Sequence, residues 1–289
     1  MNPGQVQRKQ GSNIRYPDLQ QGHSMRKKNN VECWDEEAKK LSRPSYWFSY
    51  YIGNSYIRAT KMGLMHSTKN KICMLKTDLW NEGIDRSRDI LGLYKNQENF
   101  DLYGIDISPF VCSSARSKGN YVHVICGDIM TMPFKKDSFD MILDLSTLDH
   151  IHEDRIADVL REYKLVLNNN GILILIYWYN GILHKHIRIL SKLIKRRMIS
   201  KRPENSILLQ YYFSLNKTKK LIGDEFDIID EYCIGTLLCI PYLGCIFDKL
   251  PIFILNAFLD IVSGLEYSRI SKDVFKNIGG LHVVIGRKR

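Results

Sequence analysis

Residues 172–178 read Ile-Leu-Ile-Leu-Ile-Tyr-Trp, apolar at every position. A half-buried strand alternates apolar and polar residues, whereas a strand covered on both faces is apolar throughout. Such a segment needs a layer of structure on each side, and the rest of the chain offers helices for it. Apolar runs at 72–75, 102–106, 121–125 and Phe139–Leu145 read as four earlier strands. Between them, residues 85–96 and 108–118 read as helices, with Ser108 able to cap the second. Residues 153–167 carry Ile156, Val159, Leu160, Tyr163 and Val166 at helical spacing. That helix stops at Asn168-Asn169-Asn170-Gly171, a run suited to left-handed backbone. Strands alternating with helices in this way predict βαβ units and a doubly wound, largely parallel sheet. Ligands of such sheets bind beyond the carboxyl ends of the strands, where the strand order reverses.

Acidic residues stand at those ends. Asp78 and Glu82 follow the first strand, Asp106 ends the second, Asp128 follows the third and Asp144 lies in the fourth, shortly before Asp149-His150. Each acid alone also reads as a cap for the next helix. Together they suit a ligand with several hydrogen-bond donors. Asp106, with two acceptor oxygens at the end of strand two, suits the two hydroxyls of a ribose. Asp128 suits the exocyclic amine of a base.

The runs LYGIDIS, ICGDIMTMPFKKDSFDMIL and VLREYKLVLNNNGILILI resemble the middle motifs of class I S-adenosylmethionine-dependent methyltransferases. Residues 226–229 and 281–285, the latter followed by Gly-Arg-Lys, resemble that family's last two strands. The resemblance covers most of residues 71–289, with inserted helices at about 181–215 and 236–278. It implies a Rossmann-like, doubly wound sheet of seven strands, mostly parallel with the last antiparallel, and S-adenosyl-L-methionine as cofactor. It places Asp106 on the ribose, Ile107 on the adenine, and Asp128 and Ile129 at the adenine edge and face. Asp78, Glu82 and Gly83 fall near the methionine end, and Asp144 in the same site, orienting the loop that follows it. One stretch departs from the family. After strand one the family has an acid and then Gly-x-Gly-x-Gly, whereas this chain reads KTDLWNEG. Side chains there replace bare backbone. A carboxylate of Asp78 or Glu82 pairing with the cofactor's ammonium group is one substitute for the missing contacts.

Methyl transfer from a sulfonium needs alignment, exclusion of water and, for a protonated nucleophile of high pKa, a base. His150 is the candidate base; it also reads as a structural histidine near the start of the next helix, and His152 more so. The acceptor is expected to be a small molecule, sugar-like or lipid-like. Two alternatives stay open. The formal net charge of +11 fits an RNA methyltransferase, although strand four lacks the Asn/Asp-Pro-Pro-Tyr turn of base-amine methylation. The missing glycines fit a non-catalytic methyltransferase-like binding domain.

Residues 184–202 hold eight Lys and Arg residues and no acid, with apolar residues on one helical face. That pattern suits an anionic membrane surface, a nucleic-acid backbone or packing on the domain. Residues 233–262 are strongly apolar and read as a core helix, a greasy acceptor pocket or a membrane-facing patch. Charged residues interrupt them, so they fall short of the roughly 18 apolar residues of a membrane span. The seven cysteines show no zinc-site spacing, so no metal is expected, and their odd number favours a reducing, cytoplasmic location, with a membrane-peripheral position as the alternative. The N-terminus has no apolar signal segment. Residues 1–30 read as a disordered basic tail, within which Met25 is a second candidate start. Residues 31–70 read as a helical cap, its aromatic cluster either packed or lining a substrate pocket.

Overall fold

The structure is a computed structural model and describes residues 30–40, 45–85, 89–119, 122–179, 211–239, 243–268 and 279–289. The expected basic tail, apart from Asn30, and the whole of the basic run 184–202 lie outside the described residues. The strands are β1 (Ile72–Lys76), β2 (Phe100–Asp106), β3 (His123–Cys126), β4 (Phe139–Leu145), β5 (Leu167–Trp178), β6 (Phe226–Ile234) and β7 (Leu281–Lys288). They form one sheet in the order β3-β2-β1-β4-β5-β7-β6. β1 pairs in parallel with both β2 and β4. β7 inserts antiparallel between β5 and β6. This is the Rossmann-like doubly wound sheet that the sequence implies, with its strand order reversing between β1 and β4.

β5 accounts for the uninterrupted apolar run. Ile172, Ile174 and Ile176 enter one core layer beside Met74, Met141, Leu143 and Val283. Leu173, Leu175 and Tyr177 enter the other beside Ile142, Leu160, Tyr163 and Val284. Each of these side chains contributes about 1.5–3 kcal/mol by leaving water. The first layer is closed by helices α2 (Tyr46–Met65) and α4 (Pro109–Ser117). Helix α2 crosses β5 at Gly63, where any side chain would overlap that of Ile174. The second layer is closed by α5 (Ile156–Val166), which buries the five apolar residues read from its spacing, and by α6 (Leu215–Glu225).

The aromatic cluster of α2 divides between two roles. Tyr51 and Tyr56 are buried, whereas Tyr46 is exposed and donates to Asn256 at 3.0 Å. Ser108 caps α4 as expected, its Oγ accepting from the Val111 N–H at 3.2 Å.

Two expected elements differ. Of the helix expected over 85–96, the described part forms a single 3-10 turn, Leu91–Tyr94. Asp89 Oδ1 accepts from the Gly92 N–H at 2.7 Å and Glu82 Oε1 from the Leu91 N–H at 3.3 Å, so side chains take the donors a longer helix would use. The turn expected at 168–171 is instead part of β5. Its left-handed residue is there, Asn170 at φ 62°, but it forms an irregularity in the pairing with β4 rather than a separate loop.

Candidate active site

β1 lies next to the reversal of strand order, so its carboxyl end is where a ligand is expected. The side chain of Lys76, the last residue of β1, is wholly buried there. Its Nζ lies 3.1 Å from Asp78 Oδ1 and 3.1 Å from Glu82 Oε2, and donates to the Asp78 carbonyl at 2.7 Å. Burial opposes the charge on Lys76, but the two carboxylates outweigh it and hold the ammonium above the usual lysine range. Burial lifts Glu82 to about 7, against the pull of Lys76. Sequence reasoning overlooked Lys76. The available signal was a basic residue inside an apolar strand, two and six residues before two acids.

This cluster separates the residues expected at the methionine end. Glu82 is 2% exposed and points inward, one oxygen on Lys76 and the other on the Leu91 N–H. It therefore offers no carboxylate to a cofactor ammonium, which corrects that expectation. Gly83 serves packing between the short helix α3 (Trp80–Gly83) and α4. A Cβ at Gly83 would lie 2.9 Å from the Val111 carbonyl, and Ser114 Oγ donates to the Gly83 carbonyl at 2.7 Å. Asp78 alone stays at the rim, its side chain 21% exposed and Oδ2 3.4 Å from Thr147 Oγ1. Thr147 Oγ1 in turn lies 3.0 Å from Thr77 Oγ1, so β1 and the segment after β4 meet in a polar floor.

Asp106 stands at the end of β2 as expected. Its oxygens accept from the Leu79 N–H at 2.9 Å and the Ser108 N–H at 2.8 Å, and burial pushes its carboxyl up to about 6. The loop after β1 thus touches the acid of β2 through its backbone. Each carboxylate oxygen keeps a second lone pair for a ligand hydroxyl. Ile107 and Asp128 are half-buried beside this end of the sheet. Asp128 Oδ1 accepts from the Met130 N–H at 2.9 Å, capping its own turn. Ile129 is buried in the core layer on the α5 side, which leaves little of it for an adenine face.

Asp144 is wholly buried. It accepts from the Thr147 N–H at 2.8 Å, the Leu148 N–H at 3.2 Å and the Tyr163 hydroxyl at 2.7 Å, and burial raises it to about 7. These three donors take up its two oxygens and tie the loop after β4 to α5. That loop also holds Ser146 at φ 74°, its buried Oγ without a hydrogen-bond partner. A non-glycine residue in this region costs about 1–2 kcal/mol and an unsatisfied buried hydroxyl about 1–3 kcal/mol. Such costs gather at functional sites. A serine in left-handed backbone leaves no mark in the sequence, so it was missed.

His150 lies on the next 3-10 turn, Leu148–His150, half-buried, with Nε2 3.8 Å from Asp149 Oδ2. Its ring meets the edge of Trp34, centroids 4.9 Å apart, and Trp34 also meets Trp80 at 6.3 Å. Trp34 belongs to helix α1 (Asn30–Lys40). On the same helix Asp35 accepts from the Ser108 hydroxyl and, at 3.2 Å, from the Phe110 N–H. Helix α1 therefore reaches across the loops that follow β1, β2 and β4. His152 is exposed, pairs with Asp154 and packs edge-on against Tyr211, which is a surface role.

Residues 89–175 match the family described as a methyltransferase domain. Over these residues the chain is similar to a methyltransferase domain, in keeping with the resemblance to class I S-adenosylmethionine-dependent methyltransferases read from its motifs. The match takes in Asp106, Asp128, Asp144 and His150 and begins after the glycine-poor loop, where the chain departs most from the class I pattern. Solved structures share the fold. A chain in the complex of the Haloferax volcanii Trm112 methyltransferase activator with a candidate methyltransferase is 14% identical, covering 89% of this chain and 95% of its own, at a TM-score of 0.52. The PH0226 protein of Pyrococcus horikoshii OT3 is 16% identical, covering 81% of this chain and 89% of its own, at 0.50. A candidate sarcosine dimethylglycine methyltransferase of Galdieria sulphuraria is 12% identical, covering 81% and 84%, also at 0.50. No curated protein sequence matches the methyltransferase significantly.

The family's cofactor is S-adenosylmethionine, and the donor set fits it in part. Asp106 has lone pairs for a ribose, and the unpartnered Ser146 Oγ and the rim carboxylate of Asp78 are polar groups at the same end of the sheet. The loop after β1 fits differently from a glycine loop. Leu79 is buried against Gly104, and Trp80 packs on α1.

Proposed function

We propose that this methyltransferase acts on a small-molecule acceptor, of lipid-like or sugar-like character, with His150 as the base. Bound S-adenosylmethionine supplies an electrophilic methyl group on a sulfonium. The chain's own residues do the rest. Asp106 accepts hydrogen bonds from the ribose, Asp128 meets the adenine edge and Ile107 packs on the ring. Asp78 lies toward the methionine end, its charge balanced by Lys76. His150 takes the proton of an acceptor hydroxyl as the methyl bond forms. Asp149 beside it, wholly buried, stabilises the imidazolium that results. Trp34 and Trp80 wall the approach with aromatic surface and exclude water.

The observation that carries the reading is Asp106, fixed by two backbone donors at the end of β2, one strand from the reversal of strand order. The test is transfer of labelled methyl from S-adenosylmethionine to a panel of lipid-soluble alcohols, sugars and total RNA. Label is expected in the alcohol or sugar fraction, with turnover lowered about 10²–10⁴-fold in His150→Asn. Label confined to RNA would overturn the acceptor class.

A further inference from the structure

Two insertions leave the sheet at one place. Trp178 at the end of β5 pairs with Leu281 at the start of β7, which pairs with Ile234 at the end of β6. The chain between Tyr179 and Tyr211 carries the basic run 184–202, and both of its ends are tied down here. Tyr179 bridges Phe213, and the Tyr211 N–H donates to the Asp149 carbonyl at 2.7 Å, next to His150. Among the described residues, the chain between Ile234 and Gly279 carries the α-helices α7 (Leu243–Phe247) and α8 (Ile252–Glu266).

Helix α8 is turned inside out. Its polar side chains face the protein. Asn256 accepts from Tyr46, Asp260 from Tyr50 and Asn54, and Glu266 from Tyr51 at 2.6 Å. Ser263 is buried. Its exposed side chains are Ile252, Phe253, Ile254, Phe258, Ile261 and Leu265, with the small Ala257 among them. Phe253 is 75% exposed and Ile261 63%, and Ile246 of α7 is exposed as well. An isolated exposed leucine needs no explanation, but a whole helix face without one polar residue does. Among the described residues no helix is long and apolar enough to cross a membrane, so this face can enter a lipid surface only edge-on.

We propose that the outer face of α8 lies in the interfacial layer of an anionic lipid bilayer. Charge selects this occupant. A second copy of the chain would bring a formal +11 against +11, whereas anionic headgroups bring the opposite sign. The sequence carries eight cationic residues over 184–202 alone, without an acid among them. An apolar face on a strongly cationic chain is the combination that holds a protein on such a surface. The proposal does not depend on the methyl-transfer reading, because neither feature belongs to the cofactor site.

The full chain is mixed with vesicles of phosphatidylcholine alone, or of phosphatidylcholine with phosphatidylserine, and bound protein is separated by flotation. Partitioning is expected to be at least about tenfold stronger on the mixed vesicles and to weaken with added salt. Phe253→Ser and Ile261→Ser are each expected to weaken it about tenfold or more, with the thermal midpoint unchanged because both side chains already face solvent. Three results would overturn the proposal. They are no flotation with either vesicle, equal flotation of wild type and both variants, and a concentration-dependent dimer in ultracentrifugation that Phe253→Ser dissolves, which would make a second copy the occupant.

Discussion

Lys76→Met is the perturbation that most sharply tests how this chain manages without a glycine loop. The substitution keeps the volume of the side chain and removes its charge, leaving Asp78 and Glu82 facing a buried apolar group. At an effective dielectric of about 20, charges 3.1 Å apart attract by about 5 kcal/mol, much of it offset by the cost of burying them. Removing one partner from such a cluster typically costs about 3–5 kcal/mol. That is a large share of the roughly 5–15 kcal/mol of an ordinary domain. Glu82→Gln leaves Lys76 paired with Asp78 and is expected to cost about 1–2 kcal/mol. The double variant is expected to recover at least about 2 kcal/mol of the summed losses, because the Lys76–Glu82 pair is removed as a unit. Urea unfolding followed by circular dichroism and tryptophan fluorescence gives each term. A cost below about 1 kcal/mol for Lys76→Met, or additivity within about 0.5 kcal/mol, would refute the cluster as an interacting unit.

Between pH 8 and pH 5 the buried acids should make this protein more stable as the pH falls, against a smaller opposing effect of buried His282, whose imidazole burial holds below its usual range. Burial holds Asp144 near 7, above its unfolded value, so the folded state binds its proton more tightly. The stability this confers is complete below about pH 4 and is lost as pH rises through about 7. A shift of about three units corresponds to about 4 kcal/mol. Glu82, at about 7, and Asp106, at about 6, act in the same direction. The thermal midpoint should therefore fall from pH 5 to pH 8, and less steeply in Asp144→Asn; a flat profile in the wild type would contradict the burial argument. Asp35→Ala should free α1 from the start of α4, with hydrogen exchange over residues 30–40 faster by about tenfold. Unchanged exchange would mean that the other contacts of the helix, through Trp34, Ala38 and Lys39, hold it in place.

Much of the fold could be read from local patterns. The apolar run of β5, the spacing of α5 and the cap at Ser108 each state a local demand that tertiary packing then meets. The 3-10 turn at Leu91–Tyr94 was not legible, because Glu82, nine residues earlier, takes the Leu91 donor, and no window along the chain shows that bond. The site was legible where it depends on position in the sheet, as with Asp106. It was hidden where it depends on pairing. Asp78 and Glu82 look equivalent in sequence, and only the buried ammonium of Lys76 turns one inward and leaves the other at the rim. Trp34 was hidden too, since nothing local says that an N-terminal helix returns to cover His150.

Titration of S-adenosylhomocysteine into the full chain and into Asp106→Asn, by calorimetry, bears most directly on whether the carboxyl ends of this sheet hold the family's cofactor. Saturable binding to the wild type is expected, weaker by about 10–100-fold in a folded Asp106→Asn, because hydrogen bonds to a charged group are worth about 1.5–3 kcal/mol. No binding at millimolar ligand, or equal affinity in the two proteins, would contradict it.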